Sequence, residues 1–176
     1  MDTRVQEMLD HFEIRKTLGE YCHGCDRGDE LRMAGVYSED SWDDHGPVKA
    51  PGPEFARVMM HRILTDTKSL FHLLGQSLIK INGNEAGAET YFFAVSKQAR
   101  DDGVLLCNQL GGRFVDKLVR ENGAWKIKHR VAVRDWSISL PIEADWEART
   151  LTAGERSNAD PSFEVLGLTH GGLVTR

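Results

Sequence analysis

Basic side chains are in deficit and long apolar runs are missing. Lysine and arginine number 22 against 27 aspartates and glutamates, a formal charge of −5. A phosphate-binding surface needs clustered cations, so this balance argues against nucleic acid as a partner. No stretch approaches the ~18 consecutive apolar residues of a membrane span, and the opening Met1-Asp2-Thr3-Arg4-Val5 lacks the apolar core of a secretory signal. A membrane is therefore not expected as a partner. Cysteine is scarce. Three thiols cannot all pair within one chain, and a reduced, cytoplasmic setting is the simplest expectation. Repeats and low-complexity blocks are absent. What is present is ordinary for a globular protein: 176 residues, 40% hydrophobic and 28% charged, enough for one domain with a sizeable core.

The apolar pattern changes period halfway along the chain. Over residues 4 to 26, Val5, Met8, Leu9, Phe12, Ile14, Leu18, Tyr21, Cys22 and Cys25 recur at steps of three and four, which predicts one long helix with a single dry face. Gly28 is a C-terminal stop signal. A short helix over Glu30 to Val36, a short strand over Tyr37 to His45, a Pro- and Gly-rich loop to Pro53 and a helix over 53 to 67 follow. Beyond residue 68 the period is two. Strands are expected over 69 to 81, 86 to 99, 104 to 119 and 124 to 138, broken at Asn82-Gly83, Asp101-Asp102-Gly103 and Asn122-Gly123. Helices first and an antiparallel meander second make an α+β domain over residues 1–140. Residues 141–176, with isolated apolar groups such as Phe163, read as an irregular tail, either packed on a neighbouring subunit or partly mobile.

Two polar residues lie in apolar surroundings. Asp26 is four residues past Cys22 and eight past Leu18, on the edge of the dry helical face. His72 is embedded in Ser69-Leu-Phe-His-Leu-Leu-Gly75. Taken singly, Asp26 reads equally well as a solvated helix-end residue and His72 as a hydrogen-bonded core histidine. Together they have the composition of an acid/base pair. A carboxylate bound to one imidazole nitrogen fixes the tautomer and leaves the other nitrogen as a base, with a rate effect on the order of 10² to 10⁴. Cys22-His-Gly-Cys25 lacks the second ligand pair of a structural zinc site, and both thiols fall on the dry face, as small core residues do. Asp43-Asp44-His45 precedes Gly46-Pro47 and reads as a solvated acidic corner, with His45 at the rim of a pocket. Strict alternation puts Trp125, Ile127, Val131 and Val133 on one strand face and Lys126, Lys128, Arg130 and Arg134 on the other, so Arg134 points inward only if a bulge shifts the register.

Helices followed by a bent sheet carrying Gly111-Gly-Arg-Phe-Val-Asp-Lys-Leu-Val-Arg-Glu-Asn-Gly-Ala-Trp-Lys-Ile127 resemble the SnoaL-like branch of the NTF2-like superfamily, over roughly residues 5 to 140. The resemblance implies a cone: a strongly curved antiparallel sheet closed by the N-terminal helices around one pocket. Dehydratases and a dehydrochlorinase of that branch carry an Asp at the end of the first long helix and a His on the first long strand, positions that fall here on Asp26 and His72. A Tyr five residues before the Asp matches Tyr21, and an Arg near the end of the last strand matches Arg134. The chain departs from the dehydratases on the second long strand, where Tyr91-Phe-Phe-Ala-Val95 has no further acid or histidine, and no Ser and Asn pair is recognisable in residues 111 to 119.

The expectation is a cofactor-independent lyase or isomerase of the dehydratase, dehydrohalogenase or double-bond isomerase type, acting on a hydrophobic, cyclic small molecule. His72 is the base, Asp26 its orienting partner, Tyr21 a proton donor and Arg134 an oxyanion or carboxylate partner. Pocket walls are expected from Leu18, Cys22, Trp42, His45, Phe55, Met59, Phe92 and Leu110, with no metal and no cofactor. The alternative is a non-catalytic ligand-binding or assembly module of the same fold, since fold alone does not choose a function. Members of the branch form dimers or trimers through the outer sheet face, which implies a homo-oligomer.

Overall fold

A computed structural model describes residues 2–142 and 151–172. The chain opens with helix α1 (Thr3–Arg27), followed by the short helix α2 (Glu30–Ala34). The Asp2 side chain accepts the Arg4 backbone N–H at 2.8 Å, and Gly28 ends the helix at φ 71° with the Asp29 N–H reaching back to the Gly24 carbonyl at 2.8 Å. This reverse turn needs a left-handed residue, which glycine adopts without steric cost. A Cβ on Gly24 would strike the Met33 backbone, so glycine there lets α2 fold tightly back on α1.

The buried face of α1 differs from the expected one in its first half. Ile14, Leu18, Tyr21, Cys22 and Cys25 are buried, and the stripe continues backwards to Asp10 rather than to the apolar residues. Val5, Met8, Leu9 and Phe12 lie on a separate helical face and are exposed, Phe12 at 68%. Asp10 keeps its place in the stripe because Arg120, Trp125 Nε1 and Gln6 all donate to it.

Strand β1 (Tyr37–Asp44), strand β2 (Lys49–Ala50) and helix α3 (Gly52–Asp66) precede four long strands: β3 (Ser69–Asn82), β4 (Glu85–Ala99), β5 (Leu105–Glu121) and β6 (Ala124–Pro141). Asn122 and Gly123 both have positive φ, 51° and 82°, the backbone of a two-residue turn matched to strand twist. The sheet is six-stranded in the order β2-β1-β6-β5-β4-β3, curved and open at both edges. It is not wholly antiparallel: β1 runs parallel to β6, with Trp42 opposite His129 and Asp44 opposite Val131.

Bulges decide which residues face inward. On β6 the partner of Leu118 is Ile127 and that of Lys117 is His129, so Lys128 is an extra residue. Trp125 and Ile127 face the core before it, and Arg130, Ala132 and Arg134 after it. A second bulge at Asp135 sets Arg134 opposite Gly112 and Trp136 opposite Gly111. The simple alternation expected for this strand fails because each bulge reverses the face of everything beyond it.

The C-terminal segment contains a short helix, α4 (Pro161–Leu166), and packs on its own chain. Phe163 is buried against His23, Asp160 pairs with Arg27 at 3.1 Å, and Arg156 donates to the Thr67 carbonyl at 2.8 Å and its hydroxyl at 2.7 Å. Residues 143–150 and 173–176 of the expected tail lie outside the described residues.

Candidate active site

The end of α1 and the start of β3 meet at Asp26 and His72. The Asp26 Oδ1 lies 2.6 Å from His72 Nδ1, and Oδ2 accepts the backbone N–H of the same residue at 2.8 Å. Both side chains are largely buried. Alternation along β3 turns Leu70, His72 and Leu74 to the inner face and Phe71 and Leu73 outward. With Nδ1 donating to the carboxylate, Nε2 is the nitrogen able to take a proton.

His72 lines a cavity of about 560 Å³ between α1, α3 and the inner sheet face. Of the residues expected there, Tyr21, His45, Met59, Phe92, Leu110 and Arg134 are on its wall. Phe92 stacks on Phe114 at 4.2 Å between ring centres, and both line the wall. Leu18 and Cys22 are buried in the core behind it, and Phe55 is buried with its ring stacked on His45 at 4.6 Å. Trp42 is elsewhere: on the outward face of β1, 43% exposed, it lines a surface groove with Lys80 and Lys128. Met33, Ile63, Asn108, Gln109, Ser137 and Ser139 are among the other residues of a mixed lining that is more apolar than polar.

Asp43 is not part of a solvated corner. It is 0% exposed, accepts the Tyr37 hydroxyl on Oδ2 and contacts His45 Nδ1 through Oδ1. His45 Nε2 in turn lies 3.3 Å from the Tyr21 hydroxyl. Positions 41 and 43 share the buried face of β1 and His45 follows at the same spacing just past its end, and that spacing is the signal by which Asp43 and His45 belong together.

Arg130 is the residue that sequence reasoning turned the wrong way. The Lys128 bulge carries it inside, where it is fully buried and makes two 2.7 Å bonds to Asp116. Its guanidinium lies over the Tyr21 ring at 4.3 Å and the Phe114 ring at 4.1 Å. Burial works against the Arg130 charge, but the Asp116 carboxylate outweighs it and holds the pKa well above the ordinary value. Burial raises the Tyr21 hydroxyl well above its usual range, with the neighbouring Asp43 charge in the same direction, so Tyr21 is a neutral donor. Burial also lifts the Cys25 thiol and pushes that of Cys22 up to about 12. Among the described residues, no group of three His, Cys, Asp or Glu side chains is arranged to hold a metal ion.

An imidazole bound to a carboxylate, a neutral tyrosine and an arginine on one largely apolar wall form a set suited to proton transfer. The family model described as the SnoaL-like domain matches residues 6–131, and the chain belongs to that family. Comparison with curated proteins finds no match. Among solved structures the chain is similar to a candidate scytalone dehydratase from Novosphingobium aromaticivorans, with a TM-score of 0.71 and 18% identity over 81% of this chain and 95% of that one. It is similar to a type 2 hexachlorocyclohexane dehydrochlorinase, with a TM-score of 0.72 and 12% identity over 85% of this chain and 100% of that one. A type 3 form of that dehydrochlorinase from Novosphingobium barchaimii gives a TM-score of 0.70 and 12% identity over 84% and 100%. At such identities the likeness is one of fold.

Proposed function

We propose that this protein is a cofactor-independent lyase or isomerase acting on a hydrophobic, cyclic small molecule, within an NTF2-like cone whose sheet and helices surround the 560 Å³ cavity. The observation that carries this reading is the 2.6 Å contact between Asp26 and a His72 ring on the cavity wall. Asp26 orients the imidazole and compensates the imidazolium, His72 Nε2 takes a proton from carbon, and the carbon skeleton then expels a leaving group or shifts a double bond. Tyr21 supplies a hydrogen bond or proton, and Arg134 stabilises developing negative charge on oxygen. The dehydratase and dehydrochlorinase names of the similar structures are in keeping with this chemistry.

The cavity has the volume of a small-molecule ligand site. Bicyclic β-hydroxy ketones, β-halo ketones and β,γ-unsaturated ketones are the substrates to screen, with His72→Ala as control. Turnover of one class by the wild type and a loss on the order of 10² to 10⁴ in the variant support the assignment. Turnover that survives in His72→Ala overturns it.

A homo-oligomer is part of the same proposal. Leu73, Tyr91 and Trp136 are exposed apolar side chains on the outer sheet, and Met8 and Phe12 add others on α1. Apolar patches of this kind mark interaction sites. Sedimentation at micromolar concentration tests it: a dimer or trimer is expected, and a monomer removes this element.

A further inference from the structure

Dehydration and dehydrohalogenation begin alike, with a base removing a proton from carbon, and differ at the leaving group. Chloride departs as the anion, whereas hydroxide needs a proton as the bond breaks. A site built for loss of water therefore needs an acid at the oxygen as well as a base at the carbon, and one His72 ring serves both only if its Nε2 reaches both, a constraint that a separate donor removes.

Such a donor stands elsewhere on the wall. Tyr21 is positioned to donate, but burial makes its anion costly, so a tyrosine that gave up its proton alone would leave an unfavourable charge. Its hydroxyl lies 3.3 Å from His45 Nε2, and His45 Nδ1 contacts Asp43 Oδ1. Asp43 is fully buried and held by Tyr37 on its other oxygen. The His45 ring is itself clamped, stacked on Phe55 at 4.6 Å, while its backbone N–H donates to the Val48 carbonyl at 2.9 Å to close the turn. His45 borders both the main cavity and an adjoining one of about 460 Å³. Ring contacts run from His72 through Phe92 and Phe114 to His45. The fold thus carries two His–Asp pairs on one cavity, one from the α1–β3 junction and one from the end of β1.

We infer that Asp43, His45 and Tyr21 form an acid relay complementary to the His72–Asp26 base, and that the leaving group of the natural substrate is a hydroxyl. The inference rests on the base assignment made above. In the forward step His72 Nε2 takes the proton from carbon, and the C–H electron pair becomes the new double bond. The C–O bond breaks, and its oxygen takes the Tyr21 hydroxyl proton and leaves as water. Tyr21 takes the Nε2 proton of the His45 imidazolium in the same movement, so no tyrosinate forms. His72 ends protonated and His45 neutral. Loss of one proton to solvent from His72 and gain of one by His45, reached from the adjoining cavity, restore the site, and the net change is substrate to alkene plus water. The imidazolium form is compensated by Asp43, since a buried carboxylate is least costly beside a positive partner.

The test compares a β-hydroxydecalone with the β-chlorodecalone of the same skeleton, following the enone by its absorbance. His45→Gln should slow loss of water by a factor on the order of 10² to 10⁴ and loss of chloride by a much smaller factor, with the melting temperature held. Tyr21→Phe should follow the same split, and His72→Ala should slow both reactions. Equal slowing of the two reactions in His45→Gln overturns the relay, because a purely structural role has no preference for the leaving group. A wild type that eliminates from neither ketone removes the base assignment instead. The relay is then read in the substrate-free protein by histidine side-chain nitrogen NMR. A low-field His45 Nδ1 proton lost in Asp43→Asn, with an Nε2 shift in Tyr21→Phe, supports it. His45 resonances indifferent to both substitutions overturn it.

Discussion

The Asp26 carboxylate holds His72 twice, one oxygen 2.6 Å from the ring Nδ1 and the other 2.8 Å from the backbone nitrogen. The second bond fixes the strand to the helix end, so the ring is presented from a frame anchored by the same group that sets its tautomer. Asp26→Asn separates the two roles. The amide oxygen still accepts the backbone N–H, while its NH₂ meets Nδ1 and turns the imidazole so that Nε2 carries the proton and cannot act as base. Turnover should fall on the order of 10² to 10⁴, with a loss of stability near the ~1 kcal/mol of an ordinary hydrogen bond. Steady-state kinetics beside a denaturant titration measures both. A variant that unfolds before it loses activity contradicts this division.

Arg130 and Asp116 form a fully buried ion pair under Tyr21 and Phe114. Removing one partner leaves an uncompensated charge, which costs about 3–5 kcal/mol. Asp116→Ala should therefore lower the urea midpoint far more than Asp40→Ala, which removes only a solvent-screened surface pair with Lys128. Similar midpoints for the two variants would count against a buried pair.

The thiols give a prediction about alkaline stability. Burial raises Cys22 from an ordinary 9.0 to about 12, and raises Cys25, Tyr21 and Tyr37 as well. Above pH 9 the unfolded chain releases the Cys22 proton and the folded chain keeps it. The unfolded state then binds fewer protons, and stability falls with rising pH by about 1.4 kcal/mol per unit for each such group. The melting temperature should hold below pH 9 and drop steeply between 9 and 12, less steeply in Cys22→Ala. At neutral pH a thiol reagent should modify the half-buried Cys107 rapidly and Cys22 and Cys25 only on unfolding. Rapid modification of all three would refute the burial.

Arg156 ties the C-terminal segment to the junction between α3 and β3, through the Ile63 carbonyl and both oxygens of Thr67. Thr67 also lines the cavity, five residues before His72. Arg156→Ala removes the donor to the Thr67 carbonyl and hydroxyl and should cost about 1–3 kcal/mol, together with a rise in KM as the wall loosens. Unchanged stability and KM would make the segment a bystander.

Much of the framework was readable in the residues. Asn122-Gly123 and the other Gly-containing turns mark the hairpins, and the strands between them differ from expectation by no more than three residues at any end. The Asp26–His72 contact was readable from the position of one at the edge of a helical face and of the other among apolar neighbours, aided by family resemblance. The parallel seating of β1 on β6 was not, because a short strand's own pattern carries no record of its partner. Nor were the bulge at Lys128, which carries Arg130 and Arg134 inside, and the one at Asp135, which reverses the strand again beyond them. Asp43 was hidden for a related reason: an acidic pair before Gly-Pro looks solvated until Tyr37 and His45 are seen on either side of it.

The most direct test of the account needs no leaving group. A bicyclic ketone such as 2-decalone, dissolved in D₂O with the protein, reports removal of the proton next to its carbonyl as deuterium uptake by proton NMR. The account predicts uptake well above the buffer rate and selective for one face of the ring with the wild type, and uptake at the buffer rate with His72→Ala. Uptake at the buffer rate with the wild type, or equal uptake in the variant, would contradict His72 as the base.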